Sequence, residues 1–342
     1  NGVEVLLKDN PSLQADMVVL AIGVTPDTVL AKEAGLELGI KESIVVNDRM
    51  ETSVPDIYAA GDAVQVKHYV TGNDALISLA GPANKQGRII ADNICGGDSR
   101  YLGSQGSSVI KVFDMTAATT GINETNAQKS GLEVDTVILS PMSHAGYYPG
   151  GKVMTMKVIF EKESYRLLGA QIIGYEGVDK RIDVLATAIH AGLNATQLKD
   201  LDLAYAPPYS SAKDPVNMAG FMIDNIAKGT LKQWHLEDMD KISKDKDVVL
   251  LDVRTVGEFS RGHIDGFKNI PVDELRERIS EIEKGKPVYL ICQSGLRSYI
   301  ASRILEGNGY ETYNFSGGFR FYDAVVNDRA LIERAYACGM DY

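Results

Sequence analysis

The sequence predicts a mixed fold of consecutive α/β and α+β units that ends in a small α/β domain with a parallel sheet. Its 342 residues suffice for two or three domains with separate cores. Near both ends of the chain, short apolar runs alternate with helical segments, a pattern typical of parallel strands joined by helices. In the middle third, strands with alternating polar and apolar residues predict an antiparallel sheet with one open face.

The composition excludes several classes of protein. Hydrophobic residues make up 44% and charged residues 24%, as in ordinary globular proteins. A net charge of -11 argues against a general nucleic-acid binder. The three cysteines, Cys95, Cys292 and Cys338, are too few for a disulfide framework or a zinc site, which favours a reducing, cytoplasmic setting and no metal. No apolar run is long enough for a membrane span and no secretory signal is visible, so we expect no membrane association.

The first 107 residues are predicted to form an α/β unit. The continuous apolar run over 16–23 indicates a strand buried on both faces, and Gly35 is expected to end the first helix. Residues 98–107 are rich in Gly and Ser and predict a crossing between domains. The predicted elements are strands over 3–7, 16–23, 44–46 and 57–62 and helices over 28–34 and 81–94. The chain opens in mid-pattern at Asn1, from which we expect residues upstream to have been removed.

Two further units are predicted downstream. The second has strands over 109–113, 134–139, 154–160 and 167–173, and helices over 123–130 and 178–191 and up to Lys228. A polar segment, 229–247, then turns into a short capping helix. The third unit has strands over 248–252, 288–292 and 312–315 and helices over 272–283 and 297–307. We therefore divide the chain into segments 1–33, 34–107, 108–228, 229–236, 237–330 and 331–342.

Cys292 lies where a buried strand ends, ahead of a short loop containing Gly295 and a helix that begins near Arg297. This order directs backbone N–H groups and the positive end of a helix dipole into one concavity, which favours a thiolate and can hold an anion. Arg297 adds a fixed positive charge. The implied chemistry is thiolate attack on a sulfane sulfur, followed by transfer from the persulfide. The alternative is that Cys292 is simply a buried apolar residue.

Several motifs in this third unit resemble the rhodanese family. They are Leu251-Asp252-Val253-Arg254, Glu258-Phe259, Gly262-His263-Ile264, Cys292-Gln293-Ser294-Gly295-Leu296-Arg297-Ser298 and Gly317-Gly318. The resemblance implies that Cys292 carries the persulfide, with Gln293, Ser294, Gly295, Leu296 and Ser298 as its anion cradle. It also implies that Asp252, Arg254, Glu258 and His263 are ion-pairing and loop-anchoring residues. Cysteine phosphatases place one more residue between the Cys and the Arg, and the shorter loop here favours sulfur over a tetrahedral phosphate.

The string Thr52-Ser53-Val54-Pro55-Asp56-Ile57-Tyr58-Ala59-Ala60-Gly61-Asp62 resembles the flavin-binding signature of the pyridine nucleotide-disulfide oxidoreductases. Residues 16–26 resemble a second marker of that family, at the end of its nicotinamide domain. The resemblance implies that Asp62, beside Gly61, bonds the ribityl chain of FAD. It also implies that the helix start at Ala80 and Pro82 faces the flavin ring, where a helix dipole stabilises reduced flavin. Alone, Gly-Asp after a strand indicates only a turn.

Residues 108–228 resemble the dimerisation domain of the coenzyme A-disulfide reductases. The matching segments are 146–151, 177–184 and 204–211. The resemblance implies a homodimer in which Tyr147 and Tyr205 reach the partner subunit's active site and assist thiol chemistry, since a phenol can hydrogen-bond a thiolate and donate a proton. The alternative is that both tyrosines only pack at an interface.

Together these segments resemble the fused coenzyme A-disulfide or persulfide reductases, whose fold is a two-Rossmann-type flavoprotein reductase, an α+β dimerisation domain and a rhodanese domain. The resemblance implies FAD and NAD(P)H as cofactors, coenzyme A as ligand or substrate, and small thiols, disulfides or persulfides as partners. It assigns 1–33 to the end of the nicotinamide domain and 34–107 to the FAD domain. No G-x-G-x-x-G fingerprint or flavin-facing cysteine occurs, so we expect the N-terminal reductase half to be absent. Gly307 and Gly309 indicate only a helix C-cap.

Three alternatives remain at this point. The first is a flavin-dependent NADH oxidase or peroxidase with an auxiliary rhodanese domain, and the second is a polysulfide reductase of the same construction. The third is an inactive rhodanese unit that serves only for docking, against which the intact Cys292 and its full loop argue.

Overall fold

The computed structural model describes residues 2–8 and 10–336, with side chains of the last helix described as far as Asn327. Cys338 and the end of the predicted tail lie outside the described residues. The chain divides into two compact units, one made of 1–68 and 73–104 and the other of 69–72 and 105–342.

The first unit contains two small sheets and two helices. Strands β1 (Val3–Val5) and β2 (Leu13–Ala15) form an antiparallel pair, and helix α1 (Val29–Glu33) follows. In the second sheet, β3 (Ile44–Val45) runs parallel to β4 (Val64–Lys67), and β5 (Asp74–Ala75) runs antiparallel to it. Helix α2 (Ala80–Ile94) completes the unit. The buried core is small and centres on Met50, Val64 and Val66.

Two strand predictions in this unit are wrong. Residues 16–23 form no strand, and the side chains of Leu20 and Ile22 are 82% and 90% exposed. A strand buried on both faces needs neighbouring strands, and within the described residues none pairs with this run. The predicted strand over 57–62 is reduced to a single bridge between Tyr58 and Glu51. Gly61, with a φ of +84°, turns the chain into a short 3-10 helix there instead.

An antiparallel sheet with helices organises the first part of the second unit, and the antiparallel prediction is confirmed. The strand order is β6-β7-β10-β9-β8. The strands and helices are β6 (Ser108–Val112), β7 (Met115–Gly121), α3 (Glu124–Lys129), β8 (Val134–Leu139), β9 (Met154–Glu161), β10 (Leu167–Gly174), α4 (Val178–His190) and α5 (Pro215–Ala227). Sequence reasoning missed β7 because its small residues, largely Thr and Ala, lack a strong apolar alternation. The expectation of one open face is wrong at the centre of the sheet, because Val158, Ile159 and Phe160 are all buried in succession.

A parallel sheet forms the last part of the second unit, as predicted. The strand order is β11-β15-β14-β12-β13, with all pairs parallel. The strands and helices are β11 (Gln233–Trp234), α6 (Met239–Ile242), β12 (Val249–Asp252), α7 (Val256–Arg261), β13 (Lys268–Asn269), β14 (Val288–Ile291), α8 (Leu296–Glu306), β15 (Thr312–Phe315) and α9 (Gly318–Tyr336). Buried apolar residues form two clusters, one including Leu251 and Leu290 and the other including Trp234 and Phe315.

Three expectations for this part are corrected. The predicted helix over 272–283 is a series of turns with one short 3-10 segment, Ile279–Glu281. Leu275 and Ile282 are buried all the same, so the apolar spacing did not distinguish a helix from successive turns. The expected linker over 229–236 contains β11, because Trp234 packs against Phe315 at the sheet edge. Helix α9 continues to Tyr336, into the segment expected to be a tail.

Candidate active site

Cys292 follows β14 directly and lies at the carboxyl edge of the parallel sheet. Its side chain is 1% exposed, and its Sγ accepts a hydrogen bond of 3.1 Å from the backbone N–H of Gly295. The hydroxyl of Ser298 lies 3.2 Å from Sγ and 3.1 Å from the carbonyl oxygen of Gly295. Gly295, with a φ of +97°, is the residue from which α8 begins, so the helix dipole is directed towards the sulfur. Donors around a sulfur atom stabilise its anionic form.

Gly318 lies against the backbone of the active-site loop, next to Cys292 and Ser294. Its φ is +68°, and a Cβ there would lie 2.7 Å from the nitrogen of Ser294 and 2.8 Å from the oxygen of Cys292. The next residue, Phe319, donates its backbone N–H to the oxygen of Cys292 at 2.7 Å. The Gly317-Gly318 turn therefore has a packing reason: only glycine permits this close approach of two backbone segments.

Arg297 is paired with a carboxylate. Its guanidinium donates two hydrogen bonds of 2.7 Å to Glu258, in a bidentate arrangement. This pairing lowers the pKa of Glu258 to about 2 and raises the pKa of Arg297 above its ordinary value. Glu258 also accepts from Thr255 at the start of α7. The predicted fixed positive charge is present beside the loop, but a neighbouring negative charge offsets much of it.

A second, buried ion pair supports the loop. Arg254 donates to Asp252 at 2.7 Å, and both side chains are 1% exposed. The guanidinium of Arg254 also lies 3.8 Å from the ring centroid of Phe319 and 3.4 Å from Oε1 of Gln293. His263 stacks on the ring of Phe259, with centroids 4.0 Å apart. As expected, Asp252, Arg254 and Glu258 form ion pairs, and His263 anchors its loop through this stacking and a 3.1 Å hydrogen bond between Nδ1 and the backbone oxygen of Phe259.

The two tyrosines singled out in the dimerisation-like region meet in the structure. The hydroxyl oxygens of Tyr147 and Tyr205 lie 2.8 Å apart, and both side chains are exposed. The hydrogen bond with Tyr147 raises the pKa of Tyr205. A phenol pair shares one hydrogen bond between two donors, so one O–H stays available for another acceptor.

A buried arginine holds the loop that carries Tyr205. Arg181 donates to Asp214 at 2.9 Å, and the two side chains are 1% and 3% exposed. The same guanidinium donates to the backbone oxygens of Ser143 and Tyr209. This pair therefore joins both sides of a cleft of about 500 Å³ that Tyr205 lines, and it holds the backbone of the loop on which Tyr205 lies.

The predicted flavin residues form one small cluster in the first unit. The N–H of Gly61 donates to Oε1 of Gln86 at 2.7 Å, and Gln86 lies on α2, the helix that begins at Ala80. A Cβ at Gly61 would lie 3.9 Å from Cβ of Ala83, so the turn packs beside the start of that helix. Asp62 is exposed. No side chain caps the start of α2, and Pro82, in its first turn, has no N–H to satisfy.

The structure thus places the predicted residues in three separate groups. Cys292, Gly295 and Ser298 are in direct contact, whereas Leu296 is exposed and Gln293 faces Arg254. Sequence reasoning missed four supporting residues whose roles depend on contacts distant in sequence: Gln86, Arg181, Asp214 and Asn314. Arg181 lies within the matching segment 177–184, whereas nothing in the local sequence distinguishes the other three.

Within the described residues, no cluster of His, Cys, Asp and Glu could hold a metal ion. In the same part of the chain, no helix combines the length and apolar character that a membrane span requires.

Three family models match successive parts of the chain. They are the pyridine nucleotide-disulphide oxidoreductase model over 1–87, its dimerisation domain over 107–215 and the rhodanese-like domain over 235–324. The chain therefore carries a segment that matches the pyridine nucleotide-disulphide oxidoreductases, the dimerisation domain of that family and a rhodanese-like domain. Proteins of this family use FAD and NAD(P)H.

Two solved structures and one sequence relative are similar to this chain over most of its length. The reduced Bacillus anthracis protein described as CoADR-RHD matches with a TM-score of 0.91 and 48% identity, over 95% of this chain and 58% of that one. An NAD-dependent persulfide reductase from A. fulgidus matches with a TM-score of 0.84 and 42% identity, over 91% of this chain and 56% of that one. The NAD(P)H sulfur oxidoreductase (CoA-dependent) of Pyrococcus furiosus is 38% identical over 63% of this chain. This chain spans 48% of that relative's length, or about half.

Proposed function

We propose that the chain transfers sulfane sulfur through a persulfide on Cys292, as part of an enzyme that reduces a coenzyme A disulfide or persulfide. One observation carries the proposal: Sγ of Cys292 receives the N–H of Gly295 at 3.1 Å, at the start of a helix. Such donors stabilise both the attacking thiolate and the persulfide anion that replaces it.

Two displacements make up the proposed transfer. The Cys292 thiolate attacks the outer sulfur of a donor such as thiosulfate, the donor's S–S bond breaks, and sulfite leaves. An acceptor then attacks the terminal sulfur of the Cys292 persulfide and the thiolate returns. With cyanide as acceptor the product is thiocyanate. No external oxidant or reductant is consumed in either step.

In the reductase half, we propose that FAD binds at Gly61, Asp62, Ala80 and Pro82. The cluster fits the cofactor: Asp62 is an exposed carboxylate that can accept from ribityl hydroxyls, and the uncapped start of α2 offers a positive dipole end to reduced flavin. When bound, FAD would carry electrons from NAD(P)H to a sulfur–sulfur bond.

The Tyr147–Tyr205 pair supplies the proton chemistry in this proposal. One phenol donates to the departing thiolate while the other keeps the first in position through the 2.8 Å contact. Both phenols are exposed, which suits a role towards the partner subunit of a homodimer. We also propose a cytoplasmic location and the domain division given above, apart from its linker and tail.

The direct test is thiocyanate formation from thiosulfate and cyanide. We expect the chain to be active and Cys292→Ala to lose about a thousandfold or more, since the nucleophile is removed. Cys95→Ala is the matched control: Cys95 is an exposed free cysteine in the first unit and should be dispensable. Equal activity in Cys292→Ala and the unaltered chain would refute the proposed role.

The reductase half has its own test. A protein in which this chain is joined to the N-terminal half of such a reductase should, when supplied with FAD, oxidise NAD(P)H only if a coenzyme A disulfide or persulfide is present. Oxygen consumption independent of coenzyme A would favour an NADH oxidase instead.

A further inference from the structure

Strand β8 lies at one edge of the antiparallel sheet, within the second compact unit. An edge strand directs the N–H and C=O groups of every second residue away from its own sheet, where they need other partners. Two such groups of β8 are satisfied by side chains from β11 and from the residue after β15. The N–H of Ile138 donates to Oγ of Ser316 at 3.0 Å, and the oxygen of Thr136 accepts from Nε2 of Gln233 at 2.8 Å.

The hydrogen bond between Ile138 and Ser316 is buried. Ser316 is 2% exposed and Ile138 5% exposed. The backbone N–H of Ser316 donates in turn to the oxygen of Trp234 in β11, at 3.0 Å. A buried N–H that loses its acceptor cannot turn to solvent instead, so it favours a structure in which the acceptor stays in place. Ser316 is therefore held from two sides, by β8 and by β11.

The backbone that follows Ser316 binds the active-site loop. After two glycines, the N–H of Phe319 donates to the oxygen of Cys292 at 2.7 Å. The N–H of Arg320 donates to the oxygen of Gln293 at 3.1 Å. A continuous connection thus leads from the edge of the antiparallel sheet, through Ser316, to the backbone of the nucleophile.

The two glycines between these contacts make the first contact important. Gly317 and Gly318 have φ values of +97° and +68°, and glycine restricts its own backbone less than any other residue. The position of the turn is therefore determined by what holds its two ends. Ser316 holds one end, and the bonds to the active-site loop hold the other.

We propose that Ser316 is a positioning residue for Cys292, which couples the edge of the antiparallel sheet to the active-site loop. The inference rests on the sulfur transfer proposed for Cys292. Ser316 acts through the backbone: it holds the turn that places the carbonyl group of Cys292, and thereby the 3.1 Å contact between Sγ and the N–H of Gly295. Because the geometry of attack depends on this placement, its loss should reduce turnover rather than donor binding.

Thiocyanate formation from thiosulfate and cyanide by the full chain tests the proposal. Ser316→Ala should lower kcat about fivefold and change the half-saturating concentration of thiosulfate by less than about twofold. Gln233→Met is the matched control, because it removes the other hydrogen bond to β8 but leaves the turn intact. It should lower the unfolding midpoint as Ser316→Ala does, yet keep kcat within about twofold. Full kcat in Ser316→Ala, or an equal loss in Gln233→Met, would overturn the proposal.

A second variant removes the same hydrogen bond from the other partner and leaves Ser316 intact. Ile138→Pro lacks the N–H, and an edge strand tolerates proline where that group faces away from the sheet. It should lower kcat about fivefold although it lies outside the rhodanese-like domain, whereas Ile138→Val, which keeps the N–H, should not. Equal kcat values for the two variants would contradict the coupling.

Hydrogen exchange gives a readout that does not depend on turnover. In Ser316→Ala the amide groups of Phe319 and Gly295 should exchange about fivefold faster, while those of β12 exchange as before. Gly295 and Phe319 should keep their protection in Gln233→Met. Unchanged exchange at Phe319 in Ser316→Ala would contradict the positioning role even if thiocyanate is formed. Absence of thiocyanate formation by the unaltered chain would contradict the sulfur-transfer proposal, and hydrogen exchange would still decide whether Ser316 positions the loop.

Discussion

The rhodanese-like domain and the first compact unit are both built from strands joined by helices, but they differ in how completely their apolar residues are buried. In the rhodanese-like domain, five parallel strands pair in one sheet, and Leu251, Leu290 and Phe315 are fully buried. In the first unit, three short strands enclose a small core, and Leu20 and Ile22 stay exposed. Within the described residues, the apolar run over 16–23 has no strand to pair with.

The difference explains why the two candidate sites look unlike each other. Cys292 is buried, and its donors come from the loop and helix next to it in the sequence. Asp62 is exposed, and its cluster consists of a turn and the start of one helix. A site at the end of a five-stranded sheet is preorganised by the sheet, whereas a site on a unit with a small core depends on its local backbone shape alone.

The largest expected effect tests the difference in burial. Leu290→Ala should destabilise the rhodanese-like domain by about 3 kcal/mol, because it leaves a cavity in a fully buried cluster. Leu20→Ala, which removes the same atoms from an exposed site, should change stability by less than about 0.5 kcal/mol. Denaturant unfolding measures this: the fluorescence of the single tryptophan, Trp234, reports on the rhodanese-like domain, and far-UV circular dichroism reports on the whole chain, including the unit that contains Leu20. Equal shifts for both variants would contradict the comparison.

The next effect concerns the support of the active-site loop. Gly318→Ala should cost about 2 kcal/mol and reduce thiocyanate formation, because the new Cβ meets the backbone of Ser294 and Cys292. Gly309→Ala is the control: its φ is +81° but nothing lies within 4 Å of the added Cβ. It should cost about 1 kcal/mol, the strain of the left-handed conformation alone. The difference between the two variants in thermal unfolding midpoint measures the steric clash at residue 318, because both share the strain of a positive φ.

A pH effect of about 1 kcal/mol is expected where the rhodanese-like domain meets the antiparallel sheet. His235 lies 3.0 Å from Asp135. Burial alone would lower the pKa of His235, but the carboxylate of Asp135 outweighs it, and the pKa is raised. Burial opposes ionisation of Asp135 as well, yet the hydrogen bond with His235 leaves its pKa lowered.

The directions of the two pKa shifts determine how stability depends on pH. The contribution of His235 is complete below its ordinary pKa of 6.5 and is lost as the pH rises through the raised value. The contribution of Asp135 is complete above its ordinary 3.8 and is lost as the pH falls through the lowered value. The unfolding midpoint of the unaltered chain should therefore exceed that of His235→Gln most between pH 3.8 and 6.5. A gap that widens above pH 8 would contradict this.

The smallest effect concerns the charge beside the cradle. Glu258→Gln should lower the half-saturating concentration of thiosulfate about threefold, because Arg297 loses its counter-charge and attracts a dianion more strongly. Initial rates at pH 7 and low salt measure it, and added salt should reduce the difference. Glu274→Gln, which breaks an exposed ion pair with Arg278, is the matched control and should leave the rate unaltered.

Local patterns were sufficient to predict the strand, loop and helix around Cys292. The run 288–292 is apolar and a glycine precedes the helix, so neighbours in sequence determine the geometry. The predictions failed where distant contacts decide the structure. Residues 16–23 have the apolar pattern of a buried strand but pair with nothing in the described chain, and Trp234 lies in a polar segment yet joins β15. The pairing of Arg297 with Glu258 also needed the fold, because 38 residues separate them in the sequence.

Strand β11 has a mechanical consequence. The segment that tethers the rhodanese-like domain to the preceding helix is itself the edge strand of the parallel sheet, paired with β15 through Gln233 and Trp234. Gln233 also donates to the backbone oxygen of Thr136 in the antiparallel sheet, at 2.8 Å. Rotation of the domain away from the antiparallel sheet would require β11 to separate from β15. The connecting segment therefore restrains the domain and does not act as a hinge. A truncated domain that begins at residue 237 would lack β11, the edge strand of its parallel sheet.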